Sequence, residues 1–385
     1  MSFDSSNMKL LSWNISWDST PEKIISCLKA KLAVSPVIAC LQEVTPSVYE
    51  LFREAFGKDF TLVYSLDFRA PGKFDSKSRR LGVLIIASGE IVPISRGCLR
   101  RVPYPDRTCW FCFEWHQKAY TVLNLQSVTG ANYRKGKSVQ FDSFAEEIER
   151  LRPDIVAIDA NEPEVDHYDI AQMGFSDCGD KGVGARHFFT ALSDYGLTDA
   201  LTVHYSPSAY VSGEPLAISH ITHHQERRRY DFIFVNTGKV EVRECQYSLE
   251  GLVATSNHAI VSVDAGFDES EEHIAKNCEN SSDVYTKAEL LKCCRHYKGF
   301  ESDEELSLMG SYEKIWIQKM IDDREFLKQN NNMYIEFGLE TFSLDDGVPL
   351  SLKAILFNRY MHWCYGGTVE SFKTFYFEHY LNPKK

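Results

Sequence analysis

Short apolar runs alternate with polar clusters along the first two thirds of the chain, and the spacing inside each run separates strands from helices. Met8 to Trp13 reads as a strand. In the helix that follows, Ser19 stands three residues before Glu22 as a capping box, Pro21 lies in the first turn, and the pattern runs to about Ala33. The apolar run Val37 to Leu41 leads into Gln42-Glu43. Thr45 before Pro46 then opens a second helix, with Val48, Leu51, Phe52 and Ala55 on one face and Gly57 beyond its end. Runs rich in β-branched and aromatic residues at Thr61 to Leu66, Leu81 to Ala87, Thr108 to Trp115 and Tyr120 to Gln126 predict four more strands. Ser138 to Leu151 carries Phe141, Phe144, Ile148 and Leu151 at helical spacing and stops at Pro153, after which Ile155 to Ile158 is a short buried strand. A long polar segment separates these from two further strand-like runs, Asp231 to Val235 and Ala259 to Val263.

Five of the polar clusters sit at the ends of those runs: Trp13-Asn14-Ile15, Leu41-Gln42-Glu43-Val44, Ile158-Asp159-Ala160-Asn161, Tyr230-Asp231-Phe232 and Ser256-Asn257-His258. Singly, each has a structural reading: a turn-forming Asn, a helix-start Glu, a turn cap at Asp159 and Asn161, a buried Asp231 paired with a neighbouring arginine. Together they form a convergent set suited to phosphate ester hydrolysis. A hard cation such as Mg²⁺ takes one or two carboxylates and keeps several waters, a role that Glu43 fits. A carboxylate near phosphorus orients and deprotonates water, which makes Asp159 the candidate base. Asn14, Asn161 and a protonated His258 are candidate donors to the charge that builds on the phosphoryl oxygens, with Asp231 orienting His258 and favouring its charged form.

In this order the motifs resemble those of the exonuclease/endonuclease/phosphatase superfamily, the DNase I-like metal-dependent phosphoesterases, over about residues 8 to 264. The resemblance implies an α/β sandwich of two packed, mixed β-sheets with helices on the outer faces and the site at one edge. It implies Mg²⁺ or Mn²⁺ as cofactor. Asn14 corresponds to the family's first Asn, Glu43 to its metal-binding Glu, Asp159 and Asn161 to its Asp-x-Asn pair, Asp231 to the Asp of Asp-Tyr, and His258 to the His of Ser-Asp-His. Two departures stand out. Asn257 replaces the carboxylate of Ser-Asp-His, leaving an amide oxygen to coordinate metal with one negative charge fewer. Leu123-Asn124-Leu125 stands where many relatives have Thr-His-Leu, so a second histidine is missing and Tyr133 or a metal-bound water is left to protonate the leaving group.

Composition narrows the partners. The net charge of −12, with no basic excess before or after residue 267, argues against a protein that coats nucleic acid by bulk electrostatics. Local contact remains open, because Arg134-Lys135-Lys137 and Arg227-Arg228-Arg229 adjoin strand ends; Arg134 and Arg229 are the candidate phosphate contacts. Eleven cysteines without a paired framework indicate a reducing compartment. With no membrane-length apolar stretch and no leader pattern, the expectation is a cytoplasmic protein without membrane partners.

At 385 residues the chain exceeds one typical domain. Residues 1–266 are expected to form the catalytic domain and 267–284 an acidic linker. Residues 285–385 are expected to form a small, mainly helical accessory domain whose many aromatics fill its core or serve a protein partner. Three functions fit. The first is a nuclease cutting DNA or RNA; the second is a phosphatase or phosphodiesterase for a small phosphorylated molecule; the third is a binding module that kept the fold and lost turnover.

Overall fold

The computed structural model describes residues 7–33, 36–68, 81–99, 102, 104–129, 135–176, 183–250 and 256–267. Tyr133, Arg134, the acidic segment from Asp268 and the expected C-terminal domain lie outside the described residues. Two six-stranded sheets make the frame. The first contains β1 (Asn7–Asn14), β2 (Val37–Val44), β3 (Phe60–Tyr64), β4 (Gly82–Ser88), β13 (Val240–Ser248) and β14 (Ile260–Phe267), in the order 13-14-1-2-4-3. The second contains β5 (Val92–Gly97), β6 (Thr108–Trp115), β7 (Lys118–Gln126), β8 (Ile155–Asp159), β9 (Leu197–Asp199) and β12 (Asp231–Asn236), in the order 5-6-7-8-12-9. A short ribbon of β10 (His220–Ile221) and β11 (Arg227–Arg228) stands apart.

Each sheet has one parallel pair, and a helix connects it. Strands β1 and β2 are parallel and joined through α1 (Pro21–Leu32), while β7 and β8 are parallel and joined through α3 (Lys135–Leu151). This is the crossover that parallel neighbours require. Two further helices, α2 (Pro46–Phe56) and α4 (Val183–Asp194), complete the outer layers.

The strands read as unbroken apolar runs because both of their faces are covered. Val83, Ile85 and Ala87 of β4 face a core between the sheets, shared with Phe111, Phe113, Val122, Ile233 and Val263. Leu84 and Ile86, on the opposite face, pack with Ile24, Leu28, Phe52 and Phe56 of α1 and α2. On the second sheet, Val156, Ile158, Phe232 and Phe234 pack with Phe141, Phe144, Phe188 and Phe189 of α3 and α4. The expected architecture of two packed mixed sheets flanked by helices is therefore present.

Local details differ from the sequence reading in places. The N-cap of α1 is Thr20 rather than Ser19, and its side chain makes no capping hydrogen bond. Thr45 caps α2 as expected, accepting from the Val48 amide at 3.3 Å. Leu51, expected on the buried face of that helix, is 36% exposed; Val48, Phe52 and Phe56 form the face instead. Among the described residues Cys27, Cys40, Cys98, Cys109, Cys112 and Cys245 are free thiols. No described helix is long and apolar enough to cross a membrane.

Candidate active site

All five polar motifs arrive at the same end of the sandwich. The parallel pairs deliver Asn14 and Glu43, and Gln126 and Asp159, at or near their C-terminal ends. Strands β12 and β14 run antiparallel to β8 and β1, so they deliver Asp231 and His258 where they begin. Asp231 is the register partner of Asp159, and Gln126 is its partner on the other side.

Asp159 is the hub. Its Oδ2 accepts from Asn14 Nδ2 at 2.8 Å and from Asn161 Nδ2 at 3.4 Å, and its Oδ1 accepts from the Asn161 amide at 3.1 Å. Burial raises its pKa, and Asp231 and Glu43 add to that. His258 and the Asn14 hydrogen bond pull the other way, leaving it pushed up to about 7. His258 Nδ1 lies 2.8 Å from Asp231 Oδ2. Burial alone would lower the imidazole pKa; the charge and hydrogen bond of Asp231, with Asp159 and Glu43 behind them, outweigh it and push the ring up to about 9. A charged ring donates from Nδ1 to Asp231 and keeps Nε2–H as its second donor.

The loop carrying His258 is tied to β1. Ser256 Oγ donates to the Asn14 carbonyl at 2.7 Å and accepts from the His258 amide at 3.0 Å, while the buried Trp13 indole donates to the His258 carbonyl at 3.2 Å. Ser219 fixes the entry to β12 by accepting from the amides of Tyr230 and Asp231 at 2.8 and 3.0 Å. Beside it, the His220 ring lies tilted against the His258 ring with centroids 4.3 Å apart and bonds the Asn257 carbonyl through Nδ1 at 3.0 Å; burial and the charged His258 push its own pKa down to about 4.

Glu43 stands half-buried across the site at φ 61°, a left-handed conformation that a non-glycine residue holds only when its surroundings impose it. Both of its oxygens are held from the protein side: Oε2 accepts from the Trp17 amide at 3.1 Å and Oε1 from Gln126 Nε2 at 3.0 Å. Gln126 in turn accepts from buried Arg107 at 2.5 Å. Each Glu43 oxygen keeps a lone pair for a cation. Asp159, Asp231 and His258 place side-chain N and O atoms within 4.8 Å of one another in a buried cluster, in which the carboxylates can face a cation while the charged ring offers it no lone pair. Three carboxylates surround one imidazolium here. That excess of negative charge repels a free phosphate and suits a divalent cation, and the oxygen-rich set fits a hard one.

Several expectations need correction. Arg229 does not reach a substrate: its side chain is fully buried, Nε and Nη2 each lie 2.9 Å from the carboxylate of Asp166, and Nη1 lies 2.5 Å from Asp199 Oδ2. Burial lifts Asp199 despite that partner, whereas the two carboxylates hold Arg229 well above its ordinary pKa against burial; the forked contact to Asp166 is the geometry of a charged pair. Lys137 is also internal, bonding Glu162 and the Asn161 carbonyl at 2.7 Å each, so it supports Asn161 rather than meeting phosphate from a loop. Arg228 pairs with Glu226 at 2.8 Å. The Asn257 side chain is exposed, and the contact made by that residue runs through its carbonyl. Asn124 is not a site residue at all: fully buried between the sheets, it donates to the carbonyls of Leu41 and Leu84 and accepts from Gln42. The strand-end position beside Glu43 belongs to Gln126, which the sequence reading overlooked. The signal was there, since β7 ends on Gln126-Ser127 after an apolar run as the other motif strands do.

No family model matches the chain, and no curated protein matches it. Solved structures do. The chain is similar to the human Nocturnin catalytic domain with bound sulfate at 13% identity, covering 68% of this chain and 95% of that one with a TM-score of 0.50. It is also similar to a 3'-5' exonuclease (NExo) from Neisseria meningitidis, at 21% identity, 68% and 100% coverage and a TM-score of 0.46. A third is humanized D. rerio TDP2, at 13% identity, 68% and 100% coverage and a TM-score of 0.47. The likeness to the Nocturnin catalytic domain is one of fold, and in this chain that fold is two mixed sheets packed face to face between helices.

Proposed function

We propose that the chain is a divalent-metal-dependent phosphoesterase that uses Mg²⁺ or Mn²⁺ and hydrolyses phosphodiester bonds of DNA or RNA. The observation that carries this reading is the pairing of Asp231 and His258 against a second carboxylate, Asp159, itself held by two amides, with a third carboxylate across the site. Glu43 and the amide oxygen of Asn14 would hold the cation. When bound, it would neutralise charge on the phosphoryl oxygens and act as a Lewis acid.

The protein's own groups divide the remaining work. Asp159, whose pKa lies near neutrality, accepts a proton from the attacking water, and Asn14 and Asn161 keep its carboxylate aimed. His258, kept charged by Asp231, offers Nε2–H to a phosphoryl oxygen as negative charge builds there. Lys137 fixes the backbone of Asn161, and Gln126 and Trp17 fix Glu43.

A small phosphorylated molecule is the second reading. It is favoured by the commitment of Arg228 and Arg229 to acidic partners, which leaves them no part in a track for a polyanion. An activity panel with Mg²⁺ and Mn²⁺ on single-stranded DNA, duplex DNA, RNA and small phosphoesters separates the two. Hydrolysis of the polymers with metal and none with chelator is expected. Metal-independent turnover, or no turnover of any phosphoester, overturns the proposal.

A further inference from the structure

Beyond Asn14 the chain makes a tight turn before α1, shaped by hydrogen bonds from backbone groups and small polar side chains. The Ser16 amide donates to Asn14 Oδ1 at 2.9 Å, Ser16 Oγ donates to Asp18 Oδ1 at 2.8 Å, and the Ser19 amide donates to the Ser16 carbonyl at 2.9 Å. Ser16 itself adopts φ 58°. The turn brings the Trp17 amide within 3.1 Å of Glu43 Oε2. None of these bonds uses the indole. Four residues earlier Trp13 is 0% exposed in the core, whereas Trp17 is 57% exposed, with its backbone in contact with the carboxylate assigned to the metal.

An indole left in water costs free energy that the turn does not need, because any residue there would supply the same amide. Its flat face has one use that matches its position. The turn that carries Trp17 adjoins Glu43, the residue a phosphate between Glu43 and His258 would approach, so the ester substituent of that phosphate would lie toward the turn. If that substituent bears a nucleobase, the base can lie on the ring. Stacking of this kind tolerates every base, since each has a π-face. It also supplies attraction where charge does not, because Arg228 and Arg229 are committed to carboxylates and the site itself carries an excess of negative charge.

We infer that Trp17 is a specificity-determining residue, the platform on which a nucleobase next to the scissile phosphate stacks. The inference rests on the phosphoesterase reading, which places that phosphate at Glu43, and it narrows the substrate to esters that present an unpaired base.

The test uses the full chain carrying Asp159→Asn, so that binding is read without turnover. Anisotropy of a labelled single-stranded oligonucleotide is compared with that of an abasic strand of the same length. The base-bearing strand is expected to bind about tenfold or more tightly than the abasic one. Adding Trp17→Ala should abolish that preference, and Trp17→Phe should keep most of it. An unchanged preference in the Ala variant, or no preference in the protein with Trp17 intact, overturns the inference. Hydrolysis of both strands by the parent chain, measured alongside, keeps the two readings distinct. Hydrolysis without a base preference removes the stacking role and leaves the phosphoesterase. A Trp17-dependent preference without hydrolysis leaves the stacking role and removes the phosphoesterase.

Discussion

Asn14 Nδ2 and Asp159 Oδ2 lie 2.8 Å apart, a hydrogen bond between side chains 145 positions apart in sequence that ties the first sheet to the second at the site. It binds the candidate base to the first motif. Asp159→Asn keeps the size of the side chain and an acceptor for Asn14 but removes the proton acceptor. It should lower kcat by about 10²–10⁴-fold with the melting temperature close to that of the parent. A retained rate in this variant would assign the base elsewhere.

Glu43→Gln tests the cation. The amide keeps an acceptor for one of the two donors, Gln126 Nε2 or the Trp17 amide, so the side chain stays anchored by one hydrogen bond while the negative charge is lost. Calorimetric titration should show Mg²⁺ and Mn²⁺ affinity reduced by at least an order of magnitude. Equal affinity with normal turnover would show that Glu43 is not the ligand.

The pH dependence of stability follows from His258 and Asp159. His258 rises from an ordinary 6.5 to about 9 in the fold, so it binds its proton more tightly folded than unfolded. Its contribution is fully present below pH 6.5 and is lost as pH rises through about 9. Asp159 has the same sign, since burying its charge is a penalty absent below pH 3.8 and complete above about 7. Denaturant unfolding of metal-free protein should therefore show the stability gap between parent and His258→Gln shrinking from pH 6.5 to 9. A gap that stays constant across that window would mean the ring is neutral in the fold.

Arg229→Ala strands the carboxylates of Asp166 and Asp199 in the protein interior. Breaking a buried pair by removing one partner costs about 3–5 kcal/mol, so the midpoint of urea unfolding should fall steeply. A phosphate contact would behave in the opposite way, losing substrate affinity with stability intact.

What the sequence disclosed follows from how the fold uses each strand. Asn14, Asp159 and Asp231 stood out because a polar residue closing an apolar run buried on both faces is a visible break. Strand β13 did not, because it is an edge strand with one wet face, and the irregularity between Val242 and Glu244 interrupts its period of two. Helix α4 was hidden by its setting: Phe188, Phe189 and Leu192 are buried, but they lie in a long segment that is polar on average. The Arg227-Arg228-Arg229 cluster looked like loop charge because composition cannot show that Arg229 points inward at two acids distant in sequence. Gln126 and Trp17 escaped notice for the same reason, since their importance lies in contacts to Glu43 made across the fold.

The boundary of the catalytic unit gives the last prediction. The sequence places it at residue 266, yet β14 continues through Phe267, which pairs with Val240, packs its ring 4.8 Å from Tyr120 and is 4% exposed. Every core described between and outside the sheets closes within residues 7–267. A chain ending shortly after Phe267 should therefore be soluble, unfold cooperatively and bind metal with the affinity of the full protein. Ending the chain at Gly266 removes a buried aromatic side chain, which costs about 3–5 kcal/mol when such a ring is truncated to Ala elsewhere, and should lower the melting temperature measurably. An insoluble product from the longer truncation, or one without metal binding, would show that residues beyond 267 complete the same cooperative unit.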